Sequence, residues 1–271
     1  MSENLFKKVE ELYASGKITE DEKRELLKAL GYDSERQQIV SQIQVNLRSI
    51  DIEIIGVENI HFPKVEQGSL RIREDENTLV IDEPIGVSNF TKLIVPYKSN
   101  LIIKSVSSHI NVSSILGFLQ VQSVSSDVLV KNVSDRIVIS VISGDVELEN
   151  IFGTLNVNTK SGDIKANKGK VNALIKTYSG DIDISNLEFK DSRLNTFNGD
   201  ISLKSVRFFG KSFLNTYFGD VTLSLLNSVL VRATSTLGSV NNKSSSKVRE
   251  SQSEVEIVTK FGDIVVEGVV E

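Results

Sequence analysis

Carboxylates recur on a fixed pattern through the second half of this 271-residue chain. Gly-Asp followed by Ile or Val stands at Gly144-Asp145-Val146, Gly162-Asp163-Ile164, Gly180-Asp181-Ile182, Gly199-Asp200-Ile201, Gly219-Asp220-Val221 and Gly262-Asp263-Ile264. Degenerate copies stand at Ser108-His109-Ile110, Ser126-Asp127-Val128 and Gly238-Ser239-Val240. A row of aspartates can ligate calcium, which wants about six to eight oxygen ligands. Calcium β-rolls draw those ligands from two Gly- and Asp-rich turns per ion, whereas this repeat supplies one turn. In the other chemistry each Asp accepts backbone N–H bonds across its own turn, and the Gly supplies the positive φ that the turn needs. Bare carboxylates ~4.8 Å apart repel by roughly 0.9 kcal/mol in water, so a row of them needs an offset. The ligand shortage favours the structural turn, and neither a metal nor any other cofactor is expected.

Two further columns ride on the Asp. Four residues before it run Ser105, Ser123, Thr159, Thr177, Thr196, Thr216, Ser235 and Thr259, a hydroxyl ladder whose parity is inward. Three before it stand Val106, Val124, Ile142, Lys160, Tyr178, Phe197 and Tyr217, whose parity is outward. Outward apolar residues in a line are unusual on a monomer. Ile142, Tyr178, Phe197 and Tyr217 therefore form a candidate docking strip for a protein partner, a second copy or a flat ligand such as a glycan, unless the N-terminal helices cover it.

Catalytic chemistry finds little to work with. His61 and His109 lie in unrelated segments, and His109 only replaces an Asp in the turn column. No Ser/His/Asp set, metal triad or phosphate loop appears. Lys160, Lys165 and Lys176 are scattered, whereas a β-helical polysaccharide lyase needs basic and acidic groups clustered on one face. The chain has no cysteine, which excludes disulfides and thiolate chemistry. The chain reads as a non-enzyme.

The spacing defines the elements that position these columns. From His109 to Asp181 each step is 18 residues, and later steps are 19, 20, 19 and 24. Directly after the Asp stand Ile110, Val128, Val146, Ile164, Ile182, Ile201, Val221, Val240 and Ile264, and other aliphatic columns alternate with period two. Identical columns at a fixed period mean that each coil stacks on the last around a continuous aliphatic interior. Residues 101–271 are thus predicted to be an all-β, single-stranded parallel β-helix, or β-solenoid. A left-handed hexapeptide helix would repeat its small positions every six residues, while here one Gly corner per coil favours the right-handed form. Residues 34–100, which hold Pro63, Pro84 and Pro96, read as an irregular β cap over the first rung. Strands are expected there at Ile39–Val45, Ile50–Ile54 and Leu79–Ile81.

Residues 1–33 read as a helical hairpin. Leu5, Phe6, Val9, Leu12 and Tyr13 recur at helical spacing, Thr19 with Glu22 makes a capping box, and Leu26, Leu27 and Leu30 give the second helix an apolar face before Gly31. Residues 1–32 carry six Lys/Arg against seven Asp/Glu, so the basic face of a DNA-binding helix pair is missing. The whole chain carries a net charge of −5, which again argues against nucleic acid or an anionic membrane surface. No stretch approaches the ~20 apolar residues of a membrane span, and the start lacks the apolar run of a signal peptide. The sequence alone therefore reads as soluble and cytoplasmic.

Thr159–Ile164 and Thr177–Ile182, each Thr-x-Ser-Gly-Asp-Ile, resemble the bacterial DUF4097 family of adhesin-like proteins over roughly residues 40–271. Leu5–Leu30 resembles the helical module of YvlB-like and LiaX-like envelope-stress proteins. The resemblance implies a right-handed β-helix, a place at the cell envelope and no catalytic residues. A non-enzymatic scaffold or interaction protein is the leading expectation. The alternatives are a self-assembling filament of bactofilin type and a carbohydrate-binding β-helix.

Overall fold

The computed structural model describes residues 8–9, 12–13, 15, 17–29, 42–75, 77–84, 90–244 and 253–268. Of the hairpin, residues 8–9 and 12–13 are helical, and the second helix spans Glu20–Ala29. Its capping box closes in both directions: the Thr19 N–H donates to Glu22 Oε2 at 2.8 Å, and the Glu22 N–H donates to Thr19 Oγ1 at 3.3 Å. Leu5, Phe6, Leu30, Gly31 and the start of the strand expected at Ile39 lie outside the described residues. No described helix is long and apolar enough to cross a membrane.

The remainder is a β-solenoid. Ile110–Ser125, Val128–Ser143, Val146–Ser161 and Ile164–Ser179 are four successive 16-residue strands, each paired in parallel with the next. The register is the sequence period, since Val128, Val146, Ile164 and Ile182 are consecutive partners. Ile110, Val128, Val146, Ile164, Ile182, Ile201, Val221 and Ile264 are all 2 % exposed or less, so this column lines the interior of the rod. Phe189 and Phe208 stack inside it at 5.1 Å, both fully buried. A second corner, five residues after the Asp, holds Ser114, Asn132, Asn150, Lys168, Asn186 and Ser205 at positive φ. Asn tolerates that conformation better than most residues, and Asn150 Nδ2 donates to Asn132 Oδ1 at 2.6 Å across the rungs.

The rungs do not follow chain order at either end, which corrects the expectation that each coil lies on the one before it in sequence. Lys211–Phe218 and Val221–Leu225 pair with Glu254–Phe261 and Ile264–Glu267, and those pair in turn with Leu230–Ser235 and Val240–Asn242. The last coil in sequence is thus inserted beneath the penultimate one. The N-terminal end does the same. Gln42–Asn46 and Asp51–Val57 lie between the coil beginning at Leu101 and the strands Thr78–Asp82 and Phe90–Pro96. Sequence quality explains the C-terminal order. The 254–267 coil keeps full aliphatic columns, with Val255, Ile257, Ile264 and Val266 at 0 % exposure. The 230–242 coil offers Ala233 and Asn242 at the equivalent places, so it loses less on the outside.

Two antiparallel pairs finish the N-terminal end: Lys64–Gln67 on Phe90–Pro96, and Arg71–Asp75 on Thr78–Asp82. Arg71–Asp75 is exposed throughout and charged at four of its five positions, a composition that blocks further edge pairing. Glu83 clamps this end by accepting the backbone N–H groups of Arg48, Ser49 and Ile50. Burial pushes the Glu83 carboxyl pKa up, but the three N–H donors outweigh it and hold the group below its ordinary value.

Ser105 and Ser123 bond within their own coils to the Ser108 and Ser126 hydroxyls, and from Thr177 onward the hydroxyl column bonds from rung to rung, onto the glycine carbonyl of the neighbouring corner. Thr196, Thr216 and Thr259 donate to Gly180, Gly199 and Gly219, and Ser235 donates to Gly262. Thr159 departs from this, because its buried hydroxyl has no partner. Val141 fills the column one rung before it. Thr196→Val should therefore cost about 1–3 kcal/mol in urea unfolding by stranding the Gly180 carbonyl, while Thr159→Val should be neutral or mildly stabilising. Equal losses at the two sites would contradict this reading of the column.

Glu83 gives a second expectation. Its folded pKa is depressed, so its stabilisation is present above the unfolded value near 4.5 and is lost as pH falls through the folded value. Glu83→Ala should melt a few degrees below the wild type at pH 7, and the gap should close on acidification below that value. A gap that persists unchanged at pH 2 would show that packing, not the carboxylate, holds this end.

Candidate interaction surface

Each Asp of the ladder bonds to the next rung and not within its own turn. Asp145 Oδ1 accepts the Asp163 backbone N–H at 2.8 Å, Asp163 accepts that of Asp181 at 2.9 Å, and Asp181 accepts that of Asp200 at 2.8 Å. Asp200 then takes the N–H of Asp220, and Asp220 that of Asp263, which brings residues 43 apart in sequence onto adjacent rungs. Asp263 accepts the N–H of Ser239 at 2.7 Å, and this bond, with the Ser239 hydroxyl, holds its carboxyl below the usual range. The ladder has a member that the Gly-Asp pattern misses. Asp51 accepts the His109 N–H at 2.7 Å. Only the Ile50-Asp51-Ile52 triplet signals it, because no glycine precedes it.

The corner glycines allow the close stacking that these bonds need. Gly144 sits at φ +130°, and a Cβ there would lie 2.1 Å from the Ser126 carbonyl oxygen. Gly162, Gly180, Gly199, Gly219 and Gly262 crowd the carbonyl of the neighbouring corner in the same way. One oxygen of each aspartate is thus committed to the backbone. Among the described residues no group of three or more His, Asp or Glu is arranged to hold a metal ion.

The two histidines serve different places. His109 stands in the ladder with Nδ1 3.1 Å from Asp51 Oδ1 and Nε2 3.3 Å from Asp127 Oδ2. His61 lines an open groove of about 660 Å3 with Phe62, Tyr97 and Lys98, at the corner facing the N-terminal end. Lys165 lies in a shallow trough with Glu147, Glu149 and Asp183, a mixed-charge strip on the face after the Asp corner.

The outward column is an apolar feature of the described surface. Val106, Val124, Ile142 and Tyr178 are each about half exposed, at 54, 49, 53 and 55 %, and Phe197 is 36 % exposed. Tyr178, Phe197 and Tyr217 stack face to face, with centroids 5.0 and 4.9 Å apart and planes within 5° and 13°. Ile142 lies two rungs away from Tyr178, with Lys160 between them. Sequence spacing did not reveal that Phe218 and Phe261 extend the cluster. They stack on each other at 4.9 Å, and Phe218 meets Phe197 and Tyr217 edge-on. Phe261 joins them because its coil inserts beside 211–225. Lys260 closes the far end, with its ammonium 4.6 Å over the Tyr217 ring and bonded to the Tyr217 hydroxyl at 2.6 Å. The strip is therefore a ring stack with a lysine in the column at either end.

Stacking decides what this surface can present. Each inner ring has its faces against its neighbours, so it offers solvent its hydrogen-bearing edge, the positive side of the ring quadrupole. A sugar stacks on open aromatic faces, and the middle of this row has none. Apolar side chains, carbonyls and carboxylates suit such an edge better.

No curated protein matches the chain. Among solved structures, a candidate cell adhesion protein from Clostridium sporogenes aligns at 12 % identity over 84 % of this chain and 93 % of its own, with a TM-score of 0.21. A TM-score of that size supports no inference about fold or function. The family model described as Toastrack DUF4097 matches residues 34–267, which take in every described strand, and the chain belongs to that family.

Proposed function

We propose that this protein is a non-enzymatic interaction protein of the cell envelope that holds a protein partner along the Tyr178–Phe197–Tyr217 strip. The observation that carries the proposal is a row of stacked rings in which Tyr178 and Phe197 are exposed and Tyr217 is partly buried, continued by the exposed Phe218 and Phe261 and flanked by Lys160 and Lys260. Exposed apolar area of this kind is costly to keep on a monomer. The partner is a segment with an apolar face and carboxylates spaced to meet the two lysines. The envelope setting rests on the family and on the likeness of the N-terminal helices to envelope-stress modules. In this reading residues 1–33 form a separate helical docking module, 34–100 cap the rod and 101–271 present the strip. Filament growth of bactofilin type has less to support it, because Arg71–Asp75 and Lys64–Gln67 occupy the edges at the N-terminal end.

The test uses a photoreactive benzophenone residue in place of Phe197, with Lys170 on another face as the control position, in bacterial cells making the full chain. A discrete protein adduct at 197, absent at 170 and lost when Tyr178 and Tyr217 become Ser, is expected. Adducts at both positions or at neither would remove the docking face. Binding to a glycan panel that disappears in the Tyr178→Ser, Phe197→Ser, Tyr217→Ser triple variant would move the assignment to carbohydrate.

A further inference from the structure

The two ends of the rod differ in a way that its repeats do not require. At the N-terminal end the outermost coil is sealed, with Leu79, Ile81, Thr91, Leu93 and Val95 between 0 and 3 % exposed. The antiparallel strands that cover it are charged. At the C-terminal end the outermost coil is 230–242, and among the described residues its strands pair on one side only. Val240 is 44 % exposed, although Ile264 and Val221 in the same column are at 0 %. Val231 and Ala233 are only partly buried over Val255 and Ile257. Among the described residues nothing is paired over the aliphatic interior at this end.

The backbone at that end is equally open. The Leu230 and Thr236 N–H groups point inward, to Ser253 and Thr259. Strand alternation then turns the N–H and C=O groups of Val231, Ala233 and Ser235 outward. The coil also lacks what natural edges use against pairing: 230–242 holds no Pro and no carboxylate, and Arg232 is its single charge, paired with Glu254. An occupant must offer a free strand edge and an apolar cross-section of the same outline. An isolated extended peptide would satisfy the edge but leave the interior uncovered. The end of another such coil stack satisfies both, and the sealed N-terminal end cannot serve.

We propose that two copies of this chain join tail to tail about a two-fold axis, with Leu230–Ser235 pairing antiparallel to its own copy and the two open interiors closing on each other. A two-fold reverses the strand direction, so each outward N–H meets an outward carbonyl of the copy. The assembly ends at two, because no second open end remains. The interface is confined to the cross-section of one coil, whereas stable complexes bury roughly 800 Å2 per partner, so the monomer is expected at low concentration.

Sedimentation equilibrium of the full chain across the micromolar to millimolar range tests this. The weight-average mass should rise from monomer to twice that value and stop there. Val240→Lys, which places an ammonium in the end face, and Ala233→Pro, which removes an outward N–H that the fold does not use, should each hold the mass at monomer with an unchanged circular dichroism spectrum. A wild type that stays monomeric throughout overturns the proposal and leaves the end face to a strand of other origin. A dimer that survives in both variants, or species growing past the dimer, overturns it as well. The serine variants of the aromatic strip should dimerise like the wild type, so the partner surface and the self-association surface fail separately.

Discussion

The structure depends on one hydrogen bond, repeated: from Asp145 to Asp263 the backbone N–H of each corner aspartate donates to the carboxylate of the aspartate one rung away. At this corner a parallel ladder would break. The Asp145 carbonyl accepts the Val128 N–H on one side, and the Gly162 and Ile164 N–H groups are taken by Ser179 and Asp181 on the other. The Asp163 N–H faces a neighbour whose carbonyl is already turned away, and only the Asp145 side chain can reach it. A bond to a charged acceptor contributes about 1.5–3 kcal/mol. That outweighs the roughly 0.9 kcal/mol by which adjacent carboxylates repel in water. A row of like charges is thus tolerated because each charge completes the backbone of its neighbour, and glycine precedes it because no Cβ fits against the next corner.

The same bond fixes the order of the rungs at the C-terminal end. Asp220 reaches Asp263, and Asp263 reaches Ser239. Ser239 has no carboxylate to offer a further rung, so the ladder stops at the coil least able to be buried. Interior rungs other than that of His109 supply an acceptor on one side and a donor on the other, whereas an end rung needs only the donor. A degenerate copy is therefore suited to the end, and the chain goes past it to insert a complete coil beneath. At the other end the first strands lie one rung inside the rod while 78–96 and its antiparallel cover take the outside. Neither the first nor the last coil of the chain is left at an edge.

Much of this was legible in the sequence, because period and parity are properties of single residues in columns. The coil length, the inward aliphatic columns, the outward aromatic strip and the capping box of the second helix all follow from residue type at fixed spacing. The rung order did not, since Ser239 lies between Asp220 and Asp263 in sequence and only pairing places it beyond both. Asp51 escaped notice for want of a glycine, and the second corner because Ser, Asn and Lys all occupy it at positive φ. The aromatic cluster was half visible. Phe218 and Phe261 occupy the next column and meet only after the last coil has inserted.

Rung spacing also bears on what the outward strip is for. Aromatic residues in one column of a parallel solenoid sit about 4.8 Å apart and can only stack on one another. Phe189 and Phe208 do so inside the rod at 5.1 Å, as Tyr178 and Phe197 do outside it at 5.0 Å, so the ring geometry is common to both places. Burial is what differs. The interior pair is fully removed from water, and its contribution to stability is complete without any partner. The outer row gains the stacking but leaves apolar edges wet, with Lys260 laid over one end in place of a fourth ring. A stack needed only for stability would be better placed inside. Its position on the surface, with edges outward and cations at its ends, leaves that burial to be completed by the partner proposed above.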